Sequence, residues 1–174
     1  MNLAVSIETG VRGLTPNQIK PDIQTDIIGQ SGRTLRLFTS SSDLQIRDDQ
    51  YPNIRLLAKL EEKVFSVDVL TKSPNFTSGR HPDFFAGNFV GFALNYFQSI
   101  ANVEFYKSLW WGNSDNYAQW QEAMKKGLSP QVALNETWAG RVRSQLGFTR
   151  LVRFEMIENL KRKDSLVTSV VARG

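Results

Sequence analysis

The sequence predicts an α+β fold: an antiparallel or mixed sheet, with strands before and after a central block of about three helices and the helices packed on one face. Three observations predict it. Apolar and polar residues alternate between residues 33 and 70. Helical spacing with start and stop residues follows between 84 and 147, and alternation returns from 148 onward. Helices are thus segregated from strands, and short turns link most of the strands.

Residues 1–32 are rich in Gly, Pro, Thr, Asn and Gln and predict an irregular N-terminal arm, with one short strand at 3–7. Ile19, Ile23 and Ile27 recur every four residues and permit a short helix after Pro21. Residues 33–174 are expected to form a single globular α+β domain. A first strand at 33–39 places Leu35 and Leu37 on one face and Arg36 on the other. Residues 40–53 read as a polar loop. Residues 54–60 and 64–70 read as two strands joined by a Glu61-Glu62-Lys63 turn, although 54–60 also suits a short helix. In the second of these strands Phe65, Val67 and Val69 share a face, and Asp68 lies opposite.

A loop over 73–82 leads into an apolar helix that runs to about residue 101, capped by Ser78 or Asp83. Four polar residues, Asn88, Asn95, Gln98 and Ser99, interrupt it, so it reads as a buried core helix rather than a membrane span. Residues 103–111 extend it or form a strand. Ser114 caps the next helix, 115–126, which stops at Gly127. Ser129-Pro130 starts another, with Leu134, Trp138, Val142 and Leu146 as its apolar stripe and Gly147 as its end. The chain closes with a hairpin: 148–157, a turn over 159–164, and 166–172. In the first of these strands Val152, Phe154 and Met156 face one way and Arg153 and Glu155 the other. An isolated hairpin is marginal in water, so it should join earlier strands.

The composition narrows the chemistry. Of the 174 residues, 41% are hydrophobic and 22% charged; cysteine is absent and there is one histidine. Thiolate catalysis, disulfides, zinc ribbons and multi-histidine metal sites are excluded within one chain. No cofactor-binding glycine pattern or serine elbow occurs, so no cofactor is implied. The first ten residues lack the features of a signal peptide, and a cytoplasmic, membrane-free protein is expected. The formal net charge is +4. Residues 1–127 hold 13 basic and 13 acidic side chains, whereas 128–174 hold 8 and 4, so the excess lies at the C-terminal end.

Three functional readings follow. The leading one is a binding or interaction module for an acidic partner, protein or nucleic acid, through a basic C-terminal helix and hairpin. Its anion-binding residues are Arg141, Arg143, Arg150 and Arg153, with Lys161, Arg162 and Lys163 as an outer contact. The second is an enzyme acting on a phosphate-containing substrate. There His81 transfers protons, Arg80 clamps the anion, and Asp68 or Asp83 orients the histidine. The third is a structural homodimer packed through the aromatic helix bearing Gly87 and Gly91. Asp49, Glu61 and Lys63 also have the Asp…Glu-x-Lys spacing of metal-dependent nucleases, but a hairpin turn would leave those groups in solvent. Trp110 and Trp111, beside Gly112, are the expected exposed aromatic pair.

Overall fold

A computed structural model describes residues 11–12, 18–72, 76, 79, 81–84, 87–158 and 165–174. The fold is α+β, and the chain divides into two units, Met1–Val103 and Glu104–Gly174. The expected strand at 3–7, Ser78, Arg80 and the basic turn Lys161, Arg162 and Lys163 lie outside the described residues.

The first unit is an antiparallel meander. Its strands are β1 (Val11–Arg12), β2 (Ile23–Gly29), β3 (Thr34–Thr39), β4 (Asp43–Asp48), β5 (Tyr51–Glu61) and β6 (Val64–Leu70), each paired with the next. Alternation sorts the side chains between two faces. The inner face buries Ile27, Leu35, Leu37, Leu44, Ile46, Ile54, Leu56, Ala58 and Phe65. Each fully buried Leu, Ile or Phe stabilises the fold by roughly 1.5–3 kcal/mol. Helix α1 (Asn88–Ile100) packs there: Phe97 meets Phe65 edge to face, with ring centroids 6.0 Å apart, and the Tyr96 hydroxyl donates to the Ser40 carbonyl at 2.7 Å.

Three local expectations change, and one open between strand and helix resolves. The polar loop expected at 40–53 contains strand β4, whose Leu44 and Ile46 are fully buried. Ile19 precedes strand β2, and Ile23 and Ile27 belong to it, because a spacing of four keeps side chains on one face of a strand as well as of a helix. Residues 54–60 are strand, inside the longer β5. Helix α1 starts after Gly87, which occupies the left-handed region at φ 68°, and no side chain caps it. Asp83 is therefore not its cap.

The second unit holds β7 (Phe105–Trp111), α2 (Asp115–Lys125), α3 (Pro130–Ala133), a 3₁₀ turn (Leu134–Glu136), α4 (Trp138–Gln145), β8 (Phe148–Ile157) and β9 (Leu166–Arg173). The terminal hairpin does not stand alone, because β9 pairs antiparallel with both β8 and β7. Trp110 and Val167 from the sheet form one core with Tyr117, Trp120, Leu134 and Ala139 from the helical segments. The single helix expected from Pro130 to Gly147 is broken at Thr137, which is extended at ψ 160°. Its hydroxyl accepts from the Gly140 N–H at 2.9 Å and donates to the Leu134 carbonyl at 2.8 Å, so one side chain ends a helix and starts the next. Asn116 and Gln119 of α2 accept from the free N–H groups of Ala139 and Trp138.

Strand β8 departs from simple alternation. Its pairing with β9 shifts register between Phe148 and Arg150 and again between Leu151 and Arg153. These are β-bulges, each leaving one extra residue in β8. Leu151, not Val152, therefore shares the helix-covered face with Phe154, and Val152 is 51% exposed.

Candidate functional site

The single histidine lies in the first unit, in the segment between β6 and α1. Its backbone is fixed by an N–H bond to the Thr71 carbonyl at 2.7 Å. The ring is caged by Phe76 and Phe84, edge to face with centroids 5.0 and 4.9 Å away, and has no solvent exposure. Nδ1 accepts from the Asp83 backbone N–H at 3.1 Å. That assigns the ring proton to Nε2, which donates to Asp48 Oδ2 at 2.9 Å.

Asp48 collects further donors. The Arg33 Nε reaches Oδ2 at 2.9 Å, and the Gln50 backbone N–H reaches Oδ1 at 2.9 Å. Burial pushes this carboxyl up, but the bonds from His81, Gln50 and Arg33 outweigh it and hold Asp48 below the ordinary carboxylate value. Arg33 in turn donates to Gln50 Oε1 at 2.6 Å and lies over the Tyr51 ring. Arg33 and Asp48 belong to the wall of an open recess of about 390 Å³, with Asp26, Arg36 and Asp49.

The network fastens the end of β4 to the segment before α1. Both ring nitrogens of His81 are engaged in hydrogen bonds inside the protein. The aspartate that orients it is Asp48, which neither expected candidate matches. Asp68 is exposed on β6, in register with Leu57, and is not a partner of His81. Asp83 lies closer, with its carboxylate 4.0 Å from Nδ1, but its hydrogen bonds go to the Ser31 N–H at 2.8 Å and the Ser31 hydroxyl at 2.7 Å. A side chain at Gly29 would collide with that carboxylate. The nuclease-like spacing does not converge either. Asp49 lies at one end of the 11-residue β5 and Glu61 at the other, roughly 30 Å along the strand. Among the described residues no group of three or more His, Asp or Glu side chains could hold a metal, and no helix is long and apolar enough to cross a membrane. Gly91 is buried within α1, and Gly87 is half-buried at its start.

The expected basic residues of the second unit separate into three environments. Arg143 is buried, at 2% exposure, where it donates to Ser169 Oγ at 3.1 Å and Asn135 Oδ1 at 2.7 Å. It is a structural cation inside the unit and not part of a solvent-facing set. Burial pulls Arg143 below its ordinary value, and burial raises the neighbouring Tyr106 phenol. Arg141 is exposed on α4, where it donates to the Glu136 carbonyl and lines a helix-side recess of about 500 Å³ with Glu122, Lys126 and Glu136.

Arg150 and Arg153 form the third group. The bulge between Leu151 and Arg153 places these two residues, three apart, on the same sheet face, opposite Ala172 and Val170 of β9. Lys107 of β7 is in register with Val170 as well, so Lys107, Val170 and Arg153 form one row across three strands. At the other end of this helix-free face, Trp111, Leu166 and Ile157 form an apolar row, and Leu109 lies between. Trp111 is 52% exposed and Ile157 61%, whereas Trp110 points into the core at 5%, so only one of the expected pair is exposed. Glu155 accepts from Arg153 at 3.0 Å. Lys107 and Arg150 have no ion-pair partner among the described residues. Sequence reasoning missed Lys107, because its neighbourhood with Arg153 exists only through the register of β9. Compared with known proteins, the chain matches no family model, no curated protein and no solved structure.

Proposed function

We propose that the second unit is an interaction module that binds an acidic protein segment on the open face of its sheet. The observation that carries this reading is the sharing of one face by Arg150, Arg153 and Lys107, with an apolar row of exposed Trp111 and Ile157 and half-buried Leu166 at its other end. Large exposed aromatic and aliphatic side chains beside cations suit a partner that supplies apolar anchors followed by carboxylates. Aliphatic neighbours on both sides of Trp111 favour side chains over stacked bases. Arg143 serves the fold, and Arg141 belongs to the helix side.

The test is fluorescence polarisation with a labelled peptide of glutamates ending in leucines. Binding is expected to weaken as salt is added. The double variant R150Q/R153Q should bind about fivefold more weakly or worse. E155Q, which releases Arg153 from its partner, should bind more tightly. Affinity unchanged in the double variant would sink the reading. A single-stranded oligonucleotide that binds more tightly than the peptide would transfer the face to nucleic acid.

A further inference from the structure

The open face of the first unit carries a feature that only strand register reveals. Arg36 of β3 is paired with Arg47 of β4, and Arg47 with Arg55 of β5, so three arginines stand in line across adjacent strands. Adjacent strands are about 4.8 Å apart, and like charges directly opposite each other are destabilising. The first gap is bridged from within. Asp49 places Oδ2 2.8 Å from Arg36 Nη2 and Oδ1 3.3 Å from Arg47 Nε, one carboxylate oxygen to each guanidinium. Asp26 adds a longer contact, 3.8 Å from Arg36 Nε.

The second gap repeats the arrangement without the bridge. Arg55 makes no ion pair or side-chain hydrogen bond among the described residues; its Nε, like those of Arg36 and Arg47, is buried without a hydrogen-bond partner. Three other carboxylates of this face are placed elsewhere, with Glu61 at the far end of β5, opposite Val64. Asp43 is opposite Lys59 and accepts from the Ser42 hydroxyl, and Asp68 is opposite Leu57. Leu57 and the 43%-exposed Leu70 border Arg55.

We propose that Arg47 and Arg55 form a carboxylate-binding subsite, filled by an acidic side chain of a partner peptide in the way that Asp49 fills the gap between Arg36 and Arg47. The internal precedent specifies the chemistry: a planar carboxylate whose two oxygens each meet one guanidinium. Leu57 and Leu70 supply apolar contact beside it. This subsite uses none of the residues of the second unit's face and does not depend on that reading.

The test measures binding of a labelled poly-glutamate peptide to the full chain carrying R150Q/R153Q, which removes the other candidate contacts. R55Q is expected to weaken binding about threefold or more, and R55K, which keeps the charge but not the planar fork, should fall between. D49N neutralises the carboxylate that bridges Arg36 and Arg47 and should tighten binding by leaving these guanidiniums without the Asp49 counter-charge. Circular dichroism confirms that each variant is folded. Unchanged affinity in R55Q, or weaker binding in D49N, overturns the proposal. So does an equally charged single-stranded oligonucleotide that binds more tightly than the peptide with the same dependence on Arg55.

Discussion

Asp48 remains a carboxylate although it is 3% exposed, because three donors converge on it. Its folded value lies below its ordinary value, so the ionised form contributes stability that is complete above the unfolded value of about 3.9. That contribution is lost as pH falls through the lower folded value. D48N keeps the shape but replaces an acceptor of charge-assisted bonds, and is expected to cost about 1–3 kcal/mol at pH 7. The gap between the wild type and D48N should hold to about pH 4 and close below it. Thermal unfolding across a pH series reads this directly, and a gap that stays constant down to pH 2 would refute it. H81A removes one of the three donors to Asp48, leaves the Asp83 N–H without its acceptor and empties an aromatic cage, so a loss of about 3 kcal/mol is expected. The histidine was legible in the sequence as the residue to inspect. Its partner was not, because 33 residues separate it from Asp48 and only the fold brings them together.

At the scale of elements, legibility followed the strength of local signals. Helix α2 matches its cap and stop residues, with Ser114 accepting from the Tyr117 N–H at 3.2 Å and Gly127 at φ 93°. Strand β4 was hidden under the polar residues of its outer face, although Leu44 and Ile46 alternate with Asp43, Gln45 and Arg47. The bulges of β8 left no local signature, and they decide which arginines share a face. The break at Thr137 was obscured because the stripe of Leu134, Trp138 and Val142 continues through it. That break predicts two unequal effects in chemical denaturation. T137V removes the cap and should cost about 1–2 kcal/mol. G140A should cost more, because a Cβ there would collide with the Leu134 carbonyl, a backbone atom that cannot yield cheaply. Equal costs would mean that the turn relaxes around the added methyl.

Across the whole molecule, the charge excess and the aromatic reporters fall within one unit. Met1–Val103 contains ten basic and ten acidic residues, and Glu104–Gly174 contains eleven and seven, so the net +4 belongs to the second unit. The excess seen at the C-terminal end of the sequence is thus a property of a structural unit, although Arg143 shows that not all of it faces a partner. All four tryptophans, Trp110, Trp111, Trp120 and Trp138, also lie there. Trp110 and Trp120 are buried, and Trp138 is half-buried. Trp111 is the exposed one, on the face with Arg150 and Arg153. Tryptophan emission therefore separates the two proposed contacts in a single protein. An acidic peptide with apolar anchors that covers the second unit's sheet should shift the emission to the blue as Trp111 leaves water, and W111F should abolish that shift. Poly-glutamate held by Arg47 and Arg55 should bind with no change in emission, since the first unit has no tryptophan. A blue shift that survives W111F places the apolar anchor elsewhere. A shift caused by poly-glutamate in the R150Q/R153Q protein, absent in R55Q, would show that the tryptophans respond to the first unit and that the two sites are not separable by emission.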